Sequence, residues 1–189
     1  MTNESKALAH LREVAAKLDG AGMQWAVFAG AAAGVYGADR PLTDVDILVP
    51  AENGERLTEL FPDAGVLFQQ PGLLHLAFHG IDLLAGLGTA DLDSEMAARL
   101  TRHELGGIRV PVIPPEDNIL LKAMWGRGAE QGKHDWEDVE AMMAFVPSLD
   151  WAYLRRRAGM LDEVEKAQIV LGRLEQIWLQ RQNTEEETP

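Results

Sequence analysis

Apolar positions along the chain follow two rhythms, and the change falls near residue 115. Before it, short runs are alternating or continuously apolar: Trp25 to Ala29, Thr43 to Val49, Val66 to Gln69, Leu73 to Phe78, and the stretch through Ile81 and Leu84. These read as strands, with Gln70-Pro71-Gly72 and His79-Gly80 as turns between them. Leu8, Leu11, Val14, Ala15 and Leu18 have helical spacing, which predicts a first helix over Ser5 to Leu18 ended by Gly20 and Gly22. Glu52 to Phe61 predicts a short helix stopped by Pro62. Asp93 to Leu105 fits either period. Gly106-Gly107 before IRVPVI predicts a hairpin into a final edge strand, where Pro111 is tolerated.

After Pro114-Pro115 the period becomes helical. Glu116 to Trp125 carries acids at its start and Ile119, Leu120, Ala123 and Met124 on one face. Further helices are predicted from about Asp135, over Asp150 to Arg157 and over Leu161 to Gln182. The expected fold is α+β: a mixed β-sheet core over residues 1–115 with flanking helices, a helical C-terminal region over 116–182 packed on it, and a disordered acidic tail over 183–189.

Chemistry is concentrated in WAVFAGAAAGVYGADRPLTDVDILV, residues 25–49. A buried strand runs through Gly30 and a series of alanines into a helix, a turn with side chains too small to obstruct an approaching phosphate. On the following strand Asp44 and Asp46 share one face, while Val45 and Ile47 share the other. Two such carboxylates raise each other's pKa unless a cation lies between them, and Mg2+ favours oxygen ligands of this kind. An isolated D-x-D is more often the polar face of an ordinary strand. Here the preceding strand, small-residue turn, Arg40 and Thr43 favour a site. Asp82, between Ile81 and Leu83, is an acid among apolar neighbours that wants a partner, or else a strand-end residue reaching solvent at a hairpin. His75 and His79 match no common zinc spacing and read as surface or turn histidines.

Composition narrows the function classes. With 189 residues and 47% hydrophobic content the chain suits one core with a helical appendage. The absence of cysteine excludes disulfides and thiolate metal sites and fits a reducing cytoplasm. No apolar stretch reaches the length of a membrane span, and the polar start lacks a signal peptide's apolar region, so a cytoplasmic protein is expected. A net charge of −13 argues against non-specific nucleic-acid binding. Arg155-Arg156-Arg157 reads as a solvated helix face or, with Arg173 and Arg181, as a local basic patch.

The strand, Gly turn, helix and D-x-D strand of residues 25–49 resemble the nucleotidyltransferase superfamily that includes DNA polymerase β. Gly30-Ala31 stands where that family has Gly-Ser or Gly-Gly, so a hydroxyl or second glycine at the triphosphate is missing. PPEDNILLKAMWGR and GKHDWEDVEAMM extend the likeness to about residue 145 and are similar to small bacterial nucleotidyltransferase-like proteins, including abortive-infection toxins.

The resemblance implies transfer of a nucleoside monophosphate from an NTP such as ATP to an acceptor hydroxyl, with Mg2+ or Mn2+ as cofactor. Asp44, Asp46 and Asp82 would be the metal-binding and catalytic carboxylates. Gly30, Ala31, Arg40, Thr43, Lys122, Arg127, Lys133 and Asp135 would line the nucleotide site. Lys122 reads equally as a lysine snorkelling from a core helix. Asp135 reads also as a helix cap, and Asp138 as part of that helix's solvated face. Trp125, Trp136 and Trp151 read as packing residues. The acceptor stays open between tRNA, a partner protein and a cationic small molecule. A catalytically inactive protein that keeps the fold to bind nucleotide or a partner is the alternative.

Overall fold

The computed structural model describes residues 3–87 and 90–186. Seven strands form one mixed sheet: β1 (Ala26–Phe28), β2 (Val45–Val49), β3 (Gly65–Gln70), β4 (Leu73–Phe78), β5 (Ile81–Ala85), β6 (Thr101–Leu105) and β7 (Ile108–Val112). Their order is β3-β4-β5-β2-β1-β7-β6, with β1–β7 and β2–β5 parallel and the other pairs antiparallel. The helices are α1 (Asn3–Gly20), α2 (Ala29–Val35), α3 (Gly54–Leu60), α4 (Ser94–Ala97), α5 (Pro115–Trp125), α6 (Asp135–Phe145), α7 (Trp151–Gly159) and α8 (Val164–Glu186). The α+β class and the mixed sheet are as expected.

Alternation along the strands decides which face each helix can cover. Ile47, Leu76, Ile81 and Leu83 point to one face and meet Leu11, Val14 and Leu18 of α1 in the main core, which continues into α5, α6, α7 and α8. On the other face Phe28, Leu48 and Ile113 meet Met96 of α4 and Leu121 of α5 in a smaller cluster. Over β4 and β5 that second face stays partly open. Leu73, His75, Ala77, Asp82 and Leu84 are all half-buried, while Leu74, Leu76, Ile81 and Leu83 behind them are buried.

Three expectations are corrected. β7 is an internal strand, because residues 101–105 of the ambiguous segment form the true edge, β6. Pro111 is accommodated because the pairing of β7 with β1 starts only at Val112, followed by Ile113 N donating to Val27 O at 3.1 Å. Helix α8 continues past Gln182 to Glu186 through the helix-favouring glutamates. The rest of the expected tail, residues 187–189, lies outside the described residues. The arginine run is a solvated face only in part: Arg155 and Arg156 are exposed and pair with Glu175 and Glu95, while Arg157 is buried against Asp117 and Asp93.

Candidate active site

Strand β1 ends at Phe28, and the chain turns into α2 through Ala29, whose φ of 53° is unusual for a residue with a side chain. A side chain 89 positions away holds it there. Buried Asn118 of α5 accepts from Ala29 N at 2.8 Å and donates to Ala29 O at 3.1 Å, acting as a surrogate backbone partner. Ala29 and Gly30 consequently face a cavity of about 250 Å3. A side chain at Gly30 would meet Arg40 at 3.3 Å, so glycine leaves room for the guanidinium. Ala31 is a correction: it is buried with Ala32 and Ala33 in the main core and does not line the cavity, because α2 turns that side into the sheet-helix interface.

Two of the candidate carboxylates sit on neighbouring strands and the third just before one of them. Asp46 of β2 is directly opposite Asp82 of β5 in the parallel ladder, and Asp44 precedes Asp46 by two positions on the same face. Burial pushes the Asp46 carboxyl up to about 7, with the negative charges of Asp44 and Asp82 adding to the shift and Lys133 and Lys122 opposing it. Asp44 Oδ1 accepts from the Thr43 hydroxyl at 3.1 Å near solvent. Among the described residues no three His, Asp or Glu side chains are gathered tightly enough to hold a metal ion as they stand. The donor set nonetheless fits a hard divalent cation: it is all carboxylate oxygen, and the strain on Asp46 is of the kind such a cation relieves.

Behind the Gly30 cavity lies a buried ionic network that the spacing alone did not reveal. The Lys122 ammonium is buried between Asp135 Oδ1 at 3.0 Å and Asp138 Oδ2 at 2.7 Å. Arg40 grips Asp138 through Nε and Nη2, both at 2.7 Å, and Arg127 reaches Asp135 through Nε at 2.8 Å. Burial alone would raise both carboxyls, but the hydrogen bonds from Arg40 and Lys122 to Asp138, and from Arg127 and Lys122 to Asp135, hold them below the usual range. Asp135 is therefore not a cap, since no side chain caps α6, and Asp138 is not solvated. Lys122 lines the cavity, but its charge is committed to two aspartates. Arg40 and Arg127 keep about a third of their side chains exposed beside exposed Lys133.

A second cavity, of about 390 Å3, adjoins the first and shares Ala29, Asp44, Asp46, Arg127 and Lys133 with it. Asp82 opens only into this one. Sequence reasoning missed His75 here. Its Nε2 is buried without a hydrogen-bond partner and lies 3.3 Å from Asp82 Oδ1, so a small turn of either side chain would fix one oxygen of that carboxylate. Its place beside Asp82 follows from the β4–β5 register, in which Ala77 is opposite Asp82 and His75 opposite Leu84. Trp125 lines the same cavity under the Arg127 guanidinium, 4.7 Å from its ring centroid. Trp151 packs edge-on to Trp178, and Trp136 lies under Arg173. His79 stacks on His10 in the expected His79-Gly80 turn, away from the site.

No family model and no curated protein matches this sequence. Solved structures do match in fold. An antigenic nucleotidyltransferase-like protein from Paracoccidioides brasiliensis aligns with a TM-score of 0.51 at 20% identity, covering 91% of this chain and 88% of that one. The antibiotic-resistance factor ANT(2'')-Ia aligns with a TM-score of 0.52 at 14% identity over 97% of this chain and 98% of its own. The lincosamide antibiotic adenylyltransferase LnuA, bound to lincomycin, aligns with a TM-score of 0.52 at 13% identity over 73% and 97%. The fold is thus that of the nucleotidyltransferases. Likeness to abortive-infection toxins rests on the sequence motifs alone.

Proposed function

We propose that the protein is a metal-dependent nucleotidyltransferase that moves a nucleoside monophosphate from an NTP to an acceptor hydroxyl. The observation that carries this reading is the alignment of Asp46 with Asp82 across β2 and β5, with Asp44 on the same face, where two cavities meet. In this reading residues 1–115 form the transfer core and 116–182 a helical region packed on it.

The triphosphate enters on the Gly30 side, where Arg40, Arg127 and Lys133 attract its β- and γ-phosphates. Lys122, Asp135 and Asp138 hold the two arginines in place from behind. Thr43 flanks the opening. Asp44, Asp46 and Asp82 would hold Mg2+ or Mn2+, which when bound supplies charge neutralisation at the α-phosphate. Asp82 faces the acceptor side and takes the proton of the attacking hydroxyl. The hydroxyl oxygen forms a bond to the α-phosphorus, the bond to the bridging oxygen breaks, and pyrophosphate leaves. Adenylyl transfer by one structural neighbour supports ATP as donor, and the antibiotic connection of two supports a small-molecule acceptor over tRNA or a partner protein.

Calorimetric titration with ATP, GTP, CTP and UTP, with and without Mg2+, tests the reading. Mg2+-dependent binding is expected for at least one NTP and is lost in Asp44→Asn and Asp46→Asn. Binding to no nucleotide refutes it. A second reading, a fold kept for nucleotide or partner binding without catalysis, is favoured by the Thr43 bond to Asp44 and by the lack of a gathered carboxylate trio among the described residues. Nucleotide binding that does not respond to Mg2+ selects it.

A further inference from the structure

Sheet faces that look onto solvent normally alternate to polar residues, yet the open face of β3, β4 and β5 keeps large apolar side chains beside its polar ones. From β4 it presents Leu73 and His75, and from β5 Asp82 and Leu84, each half-buried. The edge strand adds an irregularity. β3 pairs in step at Gly65–Ala77 and Val66–Leu76, then slips by one residue, so that Phe68 and not Leu67 lies opposite His75. A bulge of this kind re-aims a side chain, and here it delivers an aromatic ring, 48% exposed, into the wall of the 390 Å3 cavity. Trp125 lines that cavity too, and its polar lining is Asp44, Asp46, Asp82, His75, Arg127 and Lys133.

We infer that this cavity is the acceptor chamber and that its occupant is a small alcohol with a flat apolar or aromatic body, uncharged or cationic. The inference rests on the nucleotidyl-transfer reading for the word acceptor, but the chemistry of the occupant follows from the walls. Continuity with the nucleotide cavity through Asp44 and Asp46 brings a hydroxyl seated over Asp82 to the α-phosphate. The balanced step is alcohol plus NTP giving the nucleotidyl ester of the alcohol plus pyrophosphate, with the hydroxyl proton passing to Asp82. A volume of about 390 Å3 falls in the range of drug-sized pockets. Three carboxylates against two cations, Arg127 and Lys133, leave the lining acidic and disfavour a polyanion, and Phe68, Leu73, Leu84 and Trp125 favour a body with an apolar face over one that is polyhydroxylated throughout.

The probe is 2-(2-naphthyl)ethanol, followed by saturation-transfer NMR and calorimetry on the full chain, with MgATP titrated separately. Wild type is expected to bind it, glycerol is expected not to compete, and Phe68→Glu is expected to weaken it at least tenfold while binding MgATP within twofold of wild type. Phe68 is on an exposed edge, so the variant keeps the fold, and circular dichroism checks this. Leu84→Glu provides an independent second wall variant. Absence of naphthylethanol binding, or equal binding in both variants, overturns the inference, as does displacement of the probe by tRNA or an unstructured peptide. MgATP binding without naphthylethanol binding leaves the enzymatic reading standing and this inference fallen. Naphthylethanol binding without MgATP binding keeps the chemistry of the occupant and overturns the acceptor role together with the enzymatic reading.

Discussion

The Asp46 carboxyl, held up to about 7 by burial and by Asp44 and Asp82, makes stability depend on pH in a direction opposite to that of Asp135 and Asp138. Its folded state prefers the proton, so its contribution is whole below about pH 4 and is lost as pH rises through about 7. Asp135 and Asp138 are held low, so their contribution is present above the ordinary carboxylate range and lost as pH falls. Subtracting one melting curve from another isolates Asp46. Without metal, Asp46→Asn should melt progressively higher than wild type from pH 5 to 8, with a ceiling of about 4 kcal/mol that solvent near the half-buried group reduces. Excess Mg2+ at pH 8 should raise the wild-type melting temperature and close that gap. The Ala29–Asn118 pair gives a second residue-level test. Ala29→Gly removes a left-handed conformation borne by a Cβ and should stabilise by about 0.5–1 kcal/mol in urea unfolding. Asn118→Ala strips partners from two buried backbone groups and should destabilise by about 3 kcal/mol.

At the level of elements, α5 and α6 are joined through charge as well as through apolar packing, and the cations at the cleft divide into structural and available ones. Lys122→Met leaves Asp135 and Asp138 buried with one partner each and should cost about 3 kcal/mol of stability. Lys133→Ala, at an exposed position, should change stability by less than about 0.5 kcal/mol but weaken NTP binding about tenfold. Urea unfolding and calorimetry on both variants separate these roles. Which of these features could be read beforehand follows from how local the cause is. Asp44 and Asp46 sharing a face is a consequence of strand alternation, and the Gly30 turn of its own composition; both were legible. The pairing of Asp46 with Asp82 required the strand order, which alternation does not give; the resemblance implied only that Asp82 joins the other two carboxylates. The Asn118 clamp joins residues 89 apart, and the slip that presents Phe68 depends on the register of two strands. Neither leaves a trace in spacing. Lys122, Asp135 and Asp138 were picked out by their motif, but whether they met phosphate, solvent or one another was decided by how α5 packs on α6. Pro111 misled because an edge is the usual refuge for a strand proline, and a ladder that begins one residue later serves equally well.

For the whole molecule, much of the basic charge is already answered by acids or spent on packing. Arg155, Arg156 and Arg157 each answer a glutamate or aspartate, Arg173 covers Trp136, and Arg40 and Arg127 hold the α6 aspartates. The net charge of −13 is therefore felt largely undiminished by a polyanion approaching from outside, while the cations beside Gly30 are recessed in a cavity sized for phosphates and not for a duplex. RNA binding by counterion release needs several lysines or arginines facing phosphates at once, and the exposed arginines at the β6–β7 hairpin, Arg12, Arg102 and Arg109, stand against a net charge of −13. Fluorescence anisotropy with end-labelled tRNA should accordingly show no saturable binding below about 100 µM protein at about 0.1 M salt, and lowering the salt should not rescue it. Saturable binding with a steep salt slope would place the acceptor outside the apolar chamber and turn attention to RNA. If instead the tRNA stays unbound while NTP binds with Mg2+, the charge of the molecule itself has selected a small acceptor, because the same acidic surface that rejects nucleic acid leaves an uncharged or cationic alcohol free to reach Asp82.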